Sequence, residues 1–196
     1  MMKIDLQRIP REWVYITLLI CLSIPFFVKW NLPIFVSNTS RSFYQAIEDT
    51  HSKYPKTPVF IMSCWGPGTR GENRPQLSAV TRHLLRLRHP FVIFSPLLDP
   101  LAPRMVEEVL MEVIAEEEKL NEAEGKPFAF EYGTEYVNLG FKGIAGPTIA
   151  PILQGLESDL PGLVIKDFYG TPVEELTIME GVESLADYSM IISIGA

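Results

Sequence analysis

Four short apolar runs constrain this chain most: Val59–Ser63 (VFIMS), Phe91–Ser95 (FVIFS), Tyr136–Leu139 (YVNL) and Met190–Ile194 (MIISI). Each is bounded by turn residues and too short for a buried helix, and together they lack the polar alternation of half-exposed strands, so they read as strands covered on both faces. Helical patterns separate them. From about Pro75 to Arg88, Leu77, Val80, Leu84, Leu85 and Leu87 are apolar. After the second run, Asp99 is the expected N-cap and Pro100 falls in the first turn. Val106, Val109, Leu110, Val113 and Ile114 then mark one face, with Glu107, Glu108, Glu112 and Glu116 to Glu118 directed outward. Thr148 to about Glu157 predicts a short helix, and Thr171-Pro172-Val173-Glu174 has the spacing of a capping box, with Gly181 as a stop. Such alternation predicts an α/β fold: a Rossmann-like three-layer domain over 58–196 with a mainly parallel sheet of about four strands. The last run enters Gly195, where a further helix would ordinarily follow, so the domain is expected to be truncated at its C-terminus.

Mean hydropathy is +0.14 although 21% of residues are charged, so the apolar surplus must be concentrated. It lies at the N-terminus. Trp13 to Val28 holds sixteen residues without a charge, and beyond Lys29 the pattern resumes as Trp30, Leu32, Ile34, Phe35 and Val36. The 24 positions of 13–36 would cross a hydrocarbon core about 30 Å thick with some tilt. Trp13 and Tyr15 at one end and Phe26, Phe27 and Trp30 at the other suit the headgroup level, and Pro25 is tolerable in such a helix. A cleaved signal peptide is the alternative, but Asp5 and Glu12 precede the run and no small-x-small site follows it. A buried core helix is the third. Lys3, Arg8 and Arg11 before the segment, against Lys29 and Arg41 after it, favour an N-terminus inside and a domain outside. The expected organisation is a flank over 1–12, an uncleaved single-pass signal-anchor over 13–36, a connector with a short helix over 37–57, and the α/β domain.

Charge divides the domain. Residues 41–90 carry eight basic and three acidic side chains, a net +5, while 91–196 carry five and nineteen, a net −14. The basic part could face an anionic leaflet, or helix faces of opposite sign could pair with each other. Arg82 to His89 (RHLLRLRH) is too local a footprint for nucleic acid in an acidic domain. Two cysteines, Cys21 and Cys64, allow no disulfide within the domain. No spacing among Cys64 and the histidines His51, His83 and His89 resembles a metal site, and no cofactor is expected.

In a parallel α/β sheet ligands bind beyond the carboxyl ends of the strands, which makes the loops after the first three strands the candidates. The first contains a literal G-x-G-x-x-G as Gly66, Gly68 and Gly71. With Pro75 in the helix's first turn, however, Gly71 falls in the loop, and the second strand ends in Ser95-Pro96 without the acidic residue a dinucleotide site needs. A looser anion site remains, built from Ser63, the backbone at Gly66 and Gly68, and the charge of Arg70 or Arg74, with Ser95 from the second strand. The third loop adds Gly140 and Lys142. Cys64 is a conceivable nucleophile or an inert thiol.

The opening Lys3-Ile4-Asp5-Leu6-Gln7-Arg8-Ile9-Pro10-Arg11-Glu12-Trp13, with Tyr136-Val137-Asn138-Leu139-Gly140-Phe141-Lys142 and Asp167-Phe168-Tyr169-Gly170-Thr171-Pro172, resembles an uncharacterised family of prokaryotic membrane-anchored α/β proteins. The resemblance implies a Rossmann-like domain held at a prokaryotic plasma membrane, and longer members ending in a second hydrophobic segment; no activity or site residue comes with it. The expected role is a non-catalytic binding or assembly component, with lipid through 13–36 and membrane-protein partners or a second copy. The alternative is a membrane-anchored enzyme or sensor for a nucleotide or other small anionic ligand. If Trp65 and Phe141 fill the space at the strand ends, the second reading loses.

Overall fold

A computed structural model describes residues 10–27, 35–96, 100–142 and 150–195. They form two compact units, Met1–Arg41 and Ser42–Ala196. In the first unit, α1 (Arg11–Phe27) begins just after Pro10 and continues through Pro25. Trp13, Val14, Tyr15 and Ile16 project about 100° apart around its axis, and all four are exposed, at 46–66%. This helix is therefore apolar on every side. Its aliphatic hydroxyls are satisfied internally: Thr17 donates to the Trp13 carbonyl at 2.8 Å and Ser23 to that of Leu19 at 2.7 Å.

The expected helix over 13–36 is corrected. α1 has 17 residues, a rise of about 25 Å, and Phe35 and Val36 are not helical. Residues 28–34 lie outside the described residues. Among the described residues, no helix is long and apolar enough to cross a membrane.

The second unit contains a four-stranded parallel sheet in the order β3-β2-β1-β4, from β1 (Val59–Cys64), β2 (Phe91–Pro96), β3 (Tyr136–Lys142) and β4 (Met190–Gly195). The expected α/β class with four parallel strands is thus present. Alternate residues feed two cores. Val59, Ile61, Phe91, Ile93, Tyr136, Ile192 and Ile194 pack with α3 (Arg70–Leu87) and α4 (Ala102–Ala123), joined by Ile47 of α2 (Asn38–Lys53). Phe60, Val92, Phe94, Val137 and Leu139 pack on the opposite face. Their partners there are α5 (Ala150–Ser158), α6 (Leu160–Leu163) and the 3-10 turns Val173–Glu175 and Thr177–Met179. The two faces explain why the strands read as continuous apolar runs.

Several boundaries differ from expectation. α2 fills 16 residues of a connector expected to hold only a short helix. α3 begins at Arg70, so Gly71 is helical and Pro75 lies inside the helix, where its missing N–H leaves no i→i−4 bond to the Gly71 carbonyl. Pro100 precedes α4, which has Leu101 as its N-cap and Pro103 within the first turn. Asp99 and Thr148, the expected caps, lie outside the described residues. No regular α-helix follows Thr171. The two 3-10 turns stand there instead, and the capping box in this region is Ser184 with Asp187.

Candidate functional site

The chain runs β1, β2, β3 towards one edge and then returns to β4 on the other side of β1. The direction of winding reverses between β1 and β4, where folds of this class leave a crevice at the strands' carboxyl ends. Here Cys64 pairs with Gly195. A Cβ on Gly195 would stand 2.9 Å from the Cys64 carbonyl oxygen, so the close approach requires glycine. The Cys64 thiol is half-buried and burial pushes its pKa up, which keeps it protonated and weakens it as a nucleophile.

The residues of the first loop divide. Ser63 and Ser95 are both completely buried. The register Ile61 to Ile93 and Met62 to Phe94 brings them side by side, facing α3 and α4. Neither hydroxyl has a partner among the described residues. Trp65 is 2% exposed and belongs to the same core, and its indole N–H is also unpartnered. Asn73, one turn before the buried Leu77 on α3, is fully buried with both carboxamide atoms unpartnered. The two serines stand out in the sequence by their place at strand ends, whereas Trp65 and Asn73 do not stand out as polar groups of the site. An Asn at the apolar helical spacing of Leu77, Val80 and Leu84 was the available signal.

Gly66 is extended (φ −127°, ψ −174°) and precedes a 3-10 turn, Pro67–Thr69. Gly68 and Gly71 lack a positive φ, and a Cβ on either would meet nothing within 4 Å. Their glycines are thus not demanded by backbone shape or close approach, and the G-x-G-x-x-G spacing does not form a dinucleotide turn here. Arg70 and Arg74 are both ion-paired. Arg70 bonds Glu108 at 3.0 Å and Arg74 bonds Glu112, so both reach across to α4. Arg82 continues the ladder to Glu116 and Glu117, and Arg86 grips Glu117 with two bonds of 2.8 and 2.9 Å. The basic and acidic halves of the domain meet in this ladder.

Gly140 sits elsewhere, in a β3 bulge with φ +75° opposite the register shift between Ile93 and Ser95. Its N–H donates to Asn138 Oδ1 at 2.9 Å. Lys142 ends β3, and its side chain lies outside the described residues. Phe141 lines a groove of about 340 Å³ with Phe94, Leu139 and Leu163, on the sheet face away from Ser63. The two glycine-bearing loops therefore do not supply one common set of described side chains.

Beside β3 lies a polar network centred on the buried Glu107, Asn138 and Asp167. Glu107, expected to point outward, is 8% exposed. It accepts from Asn138 Nδ2 at 2.8 Å and from the Tyr169 hydroxyl. Tyr132 donates to Asp167 at 2.8 Å, and Asp167 also holds the Tyr169 and Thr171 N–H groups. Burial and the adjacent carboxylates push both tyrosines' pKa values well up, keeping them protonated donors. Thr171 is thus tied to Asp167 and does not cap a helix. This network pins 167–171 against β3, where Phe168 N–H reaches the Asn138 carbonyl at 2.9 Å and covers the strand's open edge.

The histidines lie at the opposite end of the sheet from Cys64. His89 precedes β2, and its Nδ1 lies 3.1 Å from His51 Nδ1 of α2; Tyr44 stacks on His83, which bonds Glu48 at 2.9 Å. Cys64 therefore pairs with none of them among the described residues. Among the described residues, no group of three His, Cys, Asp or Glu side chains could hold a metal.

Taken with its sheet, the domain is a parallel, doubly covered α/β domain, consistent with a Rossmann-like architecture. A scan against protein-family models found no match, and searches of curated proteins and of solved structures found no similar protein.

Proposed function

We propose that the chain is a membrane-attached α/β domain that binds or assembles without catalysis of its own, as a component of a membrane complex. The observation that carries the attachment is α1, whose large apolar side chains are exposed around the whole helix. Such a surface calls for lipid or protein cover. Attachment is placed in α1, with the partners being the bilayer and membrane proteins or a second copy. Support for a binding role comes from the strand ends, where Trp65 occupies the core and Arg70 and Arg74 are engaged by α4. No acid, base and nucleophile converge there among the described side chains.

Flotation of the full chain with phosphatidylglycerol-containing vesicles tests the attachment. The chain should rise with the vesicles, and Leu18→Glu with Leu22→Glu should leave it in the dense fraction. Equal behaviour of the two proteins would sink the proposal. One observation favours the alternative of a sensor for a small anionic ligand: the unpartnered buried polar atoms at Ser63 and Ser95.

A further inference from the structure

Buried polar groups are almost always hydrogen-bonded, so a cluster of them without protein partners marks a place where something else supplies the bonds. Such a cluster lies beneath the first turns of α3. Ser63 and Ser95 project side by side from the carboxyl ends of β1 and β2; Asn73 is on the buried face of α3, one turn before the core residue Leu77, and Trp65 belongs to the same core as Leu77. The three smaller residues are fully buried and Trp65 nearly so. Yet Pro67 and Gly68, two to three residues beyond Trp65, are exposed, so the chain reaches the surface within one short turn of the indole.

The chemistry of these atoms is lopsided. The Trp65 N–H and the Asn73 NH₂ only donate, both serine hydroxyls can donate, and Asn73 Oδ1 alone is restricted to accepting. Arg74, next along α3, also has a buried Nε without a hydrogen-bond partner. α3, with 18 residues, presents the positive end of its dipole here. The carboxylates that would repel an anion, Glu108 and Glu112, are each answered by an arginine of α3. Donors, a helix N-terminus and neutralised acids are what a compact oxyanion requires.

We infer that Ser63, Trp65, Asn73 and Ser95 form a binding site for a small oxyanion: phosphate, or the phosphate or carboxylate end of a small ligand. The site goes beyond the proposed attachment and is independent of it. Loss of vesicle flotation would leave the site standing, and loss of oxyanion binding would leave the attachment standing.

Trp65 is its own reporter. In the full chain carrying Trp13→Phe and Trp30→Phe, Trp65 is the sole tryptophan, and titration with inorganic phosphate at constant ionic strength should change its emission saturably. Sodium chloride should not. Ser63→Ala and Ser95→Ala delete only a hydroxyl and should keep the far-ultraviolet circular dichroism while weakening phosphate about tenfold each, the expected cost of one bond to an anion. Acetate and glycerol 3-phosphate arms distinguish a carboxylate from a phosphate ester as the preferred form, and a glycerol 3-phosphate response exceeding that of free phosphate points to an esterified ligand. Absence of a saturable response to phosphate, acetate and glycerol 3-phosphate overturns the inference. So does a response of equal affinity in the folded serine variants, and in that case the hydroxyls are satisfied by buried water alone.

Discussion

Gly68 and Gly140 show how differently one residue type can be used at two strand ends. At Gly140, φ is +75° and an added Cβ would stand 3.4 Å from the Phe168 Cα, so both backbone and neighbour oppose a side chain. Gly140→Ala should cost about 1–2 kcal/mol, whereas Gly68→Ala, in open space without a positive φ, should be neutral or stabilising by up to about 1 kcal/mol. Urea denaturation of the two variants checks this directly. His89 carries a pH dependence. Burial, then the neighbouring His51, lowers its pKa to about 4 from the ordinary 6.5. The unfolded chain therefore binds the proton more readily, and His89's contribution to stability, complete above pH 6.5, is lost as the pH falls towards 4. The decline in unfolding free energy from pH 7.5 to pH 5 should be shallower for His89→Asn than for the parent; identical slopes would show that His89 is not the group responsible. Neither behaviour could be read from residue identity. It depends on a bulge created by β2 pairing and on a histidine 38 positions away in the chain.

Between elements, the α3–α4 contact was legible as two oppositely charged helices but not as a particular set of pairs. Helical spacing distinguishes apolar from polar faces, yet residues on the flank of the apolar stripe are buried or exposed according to what stands opposite. Glu107 and Glu117 occupy that flank. Asn138 of β3 and the arginines of α3 turn them inward, while Glu112 stays half-exposed. The energies should follow burial. Glu117→Ala strips Arg82 and Arg86 of a carboxylate whose side chain is only 6% exposed and should destabilise by about 2 kcal/mol. Glu112→Ala should change stability by less than about 0.5 kcal/mol. Equal effects on urea midpoints would show that the ladder acts only as diffuse surface charge. The start of α3 at Arg70 has a related origin: Pro75 resembles a first-turn residue locally, yet it lies inside a helix whose Leu77, Val80 and Leu84 are anchored in the core.

For the whole molecule, four strands and their parallel arrangement followed from apolar runs alternating with amphipathic segments, because burial on both faces erases polar alternation. The strand order was beyond that reasoning, since it depends on which face each connection crosses. The candidate site was partly legible. Ser63 and Ser95 stood out by position at strand ends, but the arginines looked free because their partners lie 38 residues further along the chain. The apolar N-terminal run was plain from composition, while its helix is shorter than the run. Cys21, exposed on α1, provides the most direct test of the central claim that this segment lies in a bilayer. With Cys64→Ser removing the other thiol, the full chain in phospholipid vesicles should resist a membrane-impermeant maleimide and react fully once detergent dissolves the lipid. Rapid labelling of Cys21 in intact vesicles, at the rate seen after solubilisation, would contradict the account.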